Sequence, residues 1–320
     1  MSFAGDVGAG FAKRPRALPP RYFYDALGSR LFEAIGRLPW YRITESETRL
    51  LRRAAPALAR SLAGPVRAVE LGSGSGEKLA LVVEALRAGR RRPDVHVVDL
   101  SGEAVAASLE RLAKIPGVRA RGHRAVYERG LREAVRGRRG PGDFLVLFLG
   151  SNIGNFDPPD ATRLLRAVRR RLRPGDALLL GTDLVKPERD LLAAYDDPLG
   201  LTAAFDLNLL VRLNRELGAD LEISAWEHRA VWNAAARRVE MHLVSLAAQT
   251  VRIPRAGVVA EFAAGETLHT ESSYKYEPEG VDALVASAGF RRARRWTDRG
   301  AGFALTLCRA VPSGGAEEEP

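Results

Sequence analysis

Cysteine is nearly absent: the 320 residues contain one, Cys308, which excludes an intrachain disulfide and a cysteine-built metal cluster. Lysine is scarce, with only five among the 49 Lys and Arg residues. No apolar run reaches the ~18 residues of a membrane span, so no transmembrane helix is expected. The opening MSFAGDVGAGFAKRPRALPP lacks the apolar stretch of a secretory signal, and a cytoplasmic location is expected. His96, His123, His228, His242 and His269 show no H-E-x-x-H spacing, so no metal site is expected.

What is present is ordinary for a globular chain. Hydrophobic residues make up 46% and charged residues 28%, which excludes a mostly disordered or collagen-like protein and leaves enough for a core. The net charge is +10 and the pI about 10.2. A basic surface can attract nucleic acid. Here the excess is arginine beside abundant alanine and glycine, the imprint of a GC-rich genome. The arginine runs at 90–92, 136–139 and 169–173 carry no interleaved aromatics for base stacking, so no nucleic-acid partner is expected.

Apolar spacing predicts helices over residues 21–37 and 44–61, the second opening on a capping box of Thr44 and Glu47. Continuous apolar strands are predicted at 66–71, 95–100, 144–149 and 177–180. Helices at 78–89, 101–112 and 159–172 separate them. Strands without alternation, joined by helices, indicate a doubly wound, mostly parallel α/β sheet with both faces covered. A helix at 281–288 and strands at 290–296 and 303–309 close this Rossmann-like domain, assigned to 62–189 and 277–310. A smaller, discontinuous α+β domain takes 15–61 and 190–276, with strands at 238–247 and 249–253. Residues 1–14 and 311–320 are expected to be flexible tails.

The segment Glu70-Leu71-Gly72-Ser73-Gly74-Ser75-Gly76 follows a strand and opens a helix, the setting for a nucleotide. Dinucleotide loops read G-x-G-x-x-G and seat a pyrophosphate. Here the spacing is E-x-G-x-G-x-G, and the acidic Glu70 disfavours a pyrophosphate. It suits the cationic methionine portion of S-adenosylmethionine, which is favoured over NAD. Asp99, ending the next strand, is placed to accept from ribose hydroxyls. The loop Gly150-Ser151-Asn152-Ile153-Gly154-Asn155 lies at the carboxyl end of a parallel strand, where such folds bind ligands, and is read as substrate-facing.

Seven segments then carry a resemblance in order and approximate spacing. They are LPPRYFYD at 18–25, LPWY at 38–41, ELGSG at 70–74, GSNIGN at 150–155, GTDLVK at 181–186, AYDD at 194–197 and TESS at 270–273. Over residues 15–310 the chain resembles the L-histidine Nα-methyltransferases of ergothioneine biosynthesis. The resemblance implies a class I methyltransferase domain and trimethylation of the α-amino group of L-histidine to hercynine. Another amino acid, tryptophan or a histidine derivative, is the alternative within the class, and a non-catalytic nucleotide- or RNA-binding protein the alternative outside it. By the resemblance, Gly72, Gly74, Lys78 and Asp99 contact S-adenosylmethionine, with Tyr127 against the adenine. Tyr24 and Tyr41 stand at the reacting amine, Tyr41 beside both ligands. Asn155 and Tyr195 hold the substrate carboxylate, with Arg212 or Arg215 as added charge. Met241, Glu271 and Ser273 line the imidazole pocket. Where the family often has Gly-Asp-Phe, this chain reads Ala125-Val126-Tyr127, and Val126 cannot accept from the adenine amino group. The partner expected is small-molecule histidine, and the protein is expected to be a monomer.

Overall fold

Unalternating apolar strands need cover on both faces, and the segments between them supply it as helices. The structure, a computed structural model, describes residues 2–138 and 142–312. In chain order the elements begin with α1 (Phe3–Ala12), β1 (Arg16–Ala17), α2 (Ala26–Ile35), α3 (Arg42–Ser61), β2 (Val66–Leu71), α4 (Glu77–Ala88), β3 (Asp94–Asp99) and α5 (Gly102–Ala113). Next come β4 (Arg119–Arg124), α6 (Tyr127–Val135), β5 (Asp143–Phe148), α7 (Pro158–Arg169), β6 (Ala177–Asp183), α8 (Glu188–Tyr195) and α9 (Leu201–Leu217). The last are β7 (Trp226–Asn233), β8 (Arg238–Ser245), β9 (Gln249–Ile253), β10 (Val258–Phe262), β11 (Thr267–Tyr274), α10 (Pro278–Ser287), β12 (Phe290–Asp298) and β13 (Phe303–Ala310).

The chain divides into two compact units, Met1–Arg42 with Lys186–Lys275 and Ile43–Val185 with Tyr276–Pro320. The second contains a seven-stranded sheet in the order β12-β13-β6-β5-β2-β3-β4. Strands β2 to β6 are parallel, and β13 pairs antiparallel with both β6 and β12. This is the expected doubly wound sheet with its antiparallel closing pair. Its core packs Val69, Leu71, Phe144, Val146, Phe148 and Leu178 against helix residues such as Leu164, Leu165 and Val281. Cys308 is buried in β13, and burial pushes its thiol up to about 12, so it is chemically inert. Strand β4, RARGHR, has no apolar run to announce it, and its Gly122 is required because a Cβ there would collide with Val105 of α5.

The first unit carries a four-stranded sheet, β1-β11-β8-β7, and the separate β9–β10 pair. Three expectations need correction. The flexible tail expected at 1–14 is largely helical among the described residues: α1 occupies Phe3–Ala12, capped by the Ser2 side chain and buried through Val7 and Phe11, four residues apart. The α3 helix starts at Arg42, so Thr44 is inside it rather than capping it. Residues 43–61 belong with the parallel sheet, not with the smaller unit, because their buried side chains, such as Glu47 and Ser46, bond to that unit. The expected tail residues 313–320 lie outside the described residues.

A histidine relay crosses β3 and β4. Glu133 accepts from His123 Nδ1 at 3.2 Å, and His123 Nε2 lies 2.8 Å from His96 Nδ1. His96 Nε2 is left without a hydrogen bond. Burial, then the neighbouring His123 and Arg67, lower the His96 pKa from 6.5 to about 4 against the pull of Asp94. The fold therefore holds His96 neutral. Its contribution is present above pH 6.5 and is lost as the pH falls toward 4, because the unfolded chain takes up the proton first. Between pH 7.5 and 5 the stability advantage of wild type over His96→Gln should narrow by about 2 kcal/mol. Denaturant titrations at the two pH values measure it, and a constant gap would show that His96 is not held neutral.

Candidate functional site

In the parallel-sheet unit, a tight turn after β2 gives Gly72, Gly74 and Gly76 positive φ values of 77°, 51° and 71°. A side chain at Gly72 would press on Asn152 Nδ2 and Tyr127 Oη, and one at Gly76 on Ser108. Glycine is needed at both. Asp99, at the end of β3, accepts from Gly74 N–H at 3.1 Å and from Ser101 N–H at 2.9 Å. Burial raises its pKa against these bonds. Tyr127 packs edge-on to Phe148, with centroids 5.2 Å apart, and burial followed by the charges of Asp99 and Glu128 raises its pKa. Val126 is exposed at the start of α6 and its side chain caps nothing.

Glu70 is buried, and its Oε2 has no hydrogen-bond partner. Burial pushes its pKa well up, helped by Glu47 and Asp99 and opposed by Lys78. Lys78 donates to Glu47 Oε2 at 2.6 Å. Glu47 was read from the sequence as a cap; it is instead a fully buried carboxylate that also accepts the Gly150 N–H. The loop at 150–155 is pinned rather than slack. Gly150 and Ser151 both take positive φ, Ser151 Oγ accepts from Asp183 N–H at 2.9 Å, and Asn152–Asn155 forms a 3-10 turn.

In the other unit an aromatic chain brings together Tyr24, Phe32, Phe205, Tyr41 and Tyr195. Tyr24 lies 5.8 Å from Phe205 and 5.6 Å from Phe32, Phe32 lies 6.1 Å from Tyr41, and Tyr41 lies 6.2 Å from Tyr195, centroid to centroid. The Tyr195 hydroxyl is 2.7 Å from Ser273 Oγ, and Lys275 Nζ donates to both at 2.8 Å. Sequence reasoning missed Lys275. Its signal was two-residue alternation from Ser273, carried one residue past the end of β11. The cations expected to assist are engaged elsewhere, Arg212 on the Tyr22 carbonyl and Glu216, Arg215 on Asp25 and Glu216. Asp197, from the AYDD motif, caps α9 by accepting the Thr202, Leu199 and Leu201 N–H groups.

Glu271 pairs across strands with Met241, and a register shift between His269 and Glu271 sets which face it takes. It is buried, and burial, followed by the charge of Asp206, pushes its carboxyl up to about 7 against the pull of Lys275. Behind it, His228 donates to Asp206 Oδ2 at 2.7 Å and to the Tyr195 carbonyl at 2.8 Å. Both partners are acceptors, so the ring is an imidazolium. Burial opposes that charge, but the Asp206 bond outweighs it and the pKa rises. This pair fixes the backbone at Tyr195. Among the described residues no group of three His, Cys, Asp or Glu is placed to hold a metal, and no helix is long and apolar enough to cross a membrane.

These features coincide with strong similarity to characterised sequences. The profile of the family described as "Histidine-specific methyltransferase, SAM-dependent" matches residues 3–310. A histidine N-alpha-methyltransferase of Mycobacterium tuberculosis is 42% identical over 96% of this chain and 94% of its own. That of Mycolicibacterium smegmatis is 43% identical over 94% and 93%. Ergothioneine biosynthesis protein 1 of Neurospora crassa is 28% identical over 88% of this chain and 32% of that longer protein. A non-catalytic nucleotide-binding role is thereby set aside: the chain belongs to the S-adenosylmethionine-dependent, histidine-specific methyltransferases.

Proposed function

We propose that the protein transfers three methyl groups in succession from S-adenosylmethionine to the α-amino nitrogen of free L-histidine, giving hercynine for ergothioneine biosynthesis. The observation that carries the choice of substrate is Glu271, a buried carboxylate beside Met241 whose pKa of about 7 overlaps the imidazole range. An imidazole N–H, or a proton shared with the ring, offsets the cost of burying it.

The residues after β2 and β3 fit the cofactor. Gly72 leaves a cradle that a Cβ would fill, Glu70 Oε2 is a buried acceptor without a partner, and Asp99 keeps acceptor capacity beyond its two backbone bonds. Gly72, Gly74, Lys78, Asp99 and Tyr127 are assigned to it. With Val126 exposed at the helix start, adenine is held by packing on Tyr127 rather than by a side-chain acceptor there. When bound, S-adenosylmethionine supplies an electrophilic methyl group.

The protein must present a neutral amine lone pair at near-attack distance, ~3–3.5 Å. The aromatic chain through Tyr24, Tyr41 and Tyr195 excludes water, and the Tyr24 and Tyr41 hydroxyls orient the amine. The substrate carboxylate is assigned to Asn155 and Tyr195. Lys275 donates to the Tyr195 hydroxyl and brings the positive charge that neither Arg212 nor Arg215 supplies. Ser273 joins Tyr195 to the Glu271 strand face, so the carboxylate and ring contacts adjoin. The protein acts as a cytoplasmic monomer on small molecules alone, without nucleic acid.

Mass spectrometry of an amino-acid panel incubated with S-adenosylmethionine and the protein tests the substrate. Histidine should gain one, two and then three methyl groups, and faster methylation of another amino acid would overturn the assignment. Asn155→Ala should raise the histidine KM ~10-fold or more through loss of a bond to a charged group, with little change in S-adenosylhomocysteine affinity. Equal weakening of both ligands in steady-state kinetics and calorimetry would place Asn155 at the cofactor instead.

A further inference from the structure

Among the described residues, Glu47 is a carboxylate with no exposed surface that joins three separate segments. It projects from α3, accepts the ammonium of Lys78 on α4 at 2.6 Å, and accepts the Gly150 N–H at the end of β5 through both oxygens, at 2.9 and 2.8 Å. Room for it is made by Gly181 in β6, where a Cβ would collide with Glu47 Oε1. The Lys78 side chain keeps 24% exposure and Glu47 none, so the lysine can reach a ligand and the glutamate cannot.

We propose that Glu47 is a positioning residue for the cofactor, which fixes Lys78 Nζ and cancels its charge so that the site tolerates a sulfonium cation. The proposal rests on the reading of Lys78 as a cofactor contact. The physical argument is one of like charges. An ammonium with no counter-charge beside a site for a sulfonium disfavours the cation, whereas an ion pair in contact is nearly neutral at the distance of a ligand. S-adenosylmethionine and S-adenosylhomocysteine differ by that one positive charge and a methyl group. A purely structural Glu47 would affect both alike. A charge-cancelling Glu47 affects the sulfonium compound more. The same carboxylate fixes the left-handed Gly150–Ser151 turn, so one group sets both Lys78 and the start of the loop that carries Asn155.

The test is the affinity of both compounds, by calorimetry, for wild type, Glu47→Gln, Lys78→Met and the double variant, with thermal unfolding of each. Glutamine keeps the size of the side chain and an acceptor for Gly150 N–H but removes the charge. In Glu47→Gln the ratio of the two dissociation constants should shift ~10-fold against S-adenosylmethionine, in Lys78→Met it should shift in its favour, and in the double variant, neutral like the ion pair, it should return close to wild type. Should Glu47→Gln fail to fold, Gly181→Ala pushes the carboxylate away from Lys78 without removing its charge and should shift the ratio in the same direction by a smaller factor. An unchanged ratio in Glu47→Gln, or a double variant displaced from wild type as far as Glu47→Gln, overturns the proposal. Wild-type affinities in Lys78→Met would instead overturn Lys78 as a cofactor contact, and the proposal with it.

Discussion

Asp99→Ala lowers the affinity for S-adenosylhomocysteine ~10–100-fold, as expected for loss of hydrogen bonds to a charged acceptor, each worth ~1.5–3 kcal/mol. Asp99 ends β3, where ligands of doubly wound sheets bind, and each of its oxygens already takes one backbone N–H, from Gly74 and from Ser101. The remaining lone pairs are those available to ribose hydroxyls. Alanine also releases the two backbone donors, so part of the loss comes from a looser glycine turn. Asp99→Asn separates the two effects. It keeps one acceptor and loses the charge, and should fall between wild type and alanine. Calorimetry decides: wild-type affinity in Asp99→Ala would remove Asp99 from the cofactor site.

Glu271→Ala has the second large effect. It leaves the imidazole without its acceptor, a loss of ~1–3 kcal/mol, and histidine kcat/KM should fall at least ~10-fold. Alanine also opens space beside Met241, the cross-strand neighbour of Glu271, for a larger and less polar ring. Activity on tryptophan relative to histidine should therefore rise. The pH dependence carries an independent signature. The Glu271 carboxyl titrates near 7 in the unliganded protein, where its ionisation costs stability as the pH rises from 4.5 through 7. Glu271→Gln should flatten the dependence of the histidine KM between pH 6 and 8. If the histidine-to-tryptophan ratio of kcat/KM does not move in Glu271→Ala, Glu271 does not read the ring.

The sequence alone determined the parts of this protein that depend on neighbouring residues. The unalternating strands β2, β3 and β5, the glycines at 72, 74 and 76 and the place of Asp99 at a strand end were legible because periodicity and turn chemistry act over a few positions. Tertiary structure decided which side chains meet. Glu47 sits three residues after Thr44 and reads locally as a capping box, yet its partners are 31 and 103 residues away in sequence. Lys275 stands in none of the motifs the sequence offers, yet it is buried against Tyr195, 80 residues away. The same holds for Asp197 of the AYDD segment, which the fold uses to cap α9. A buried charge is stable only where its partner is, and that partner is chosen by the packing of distant segments, which no local pattern encodes.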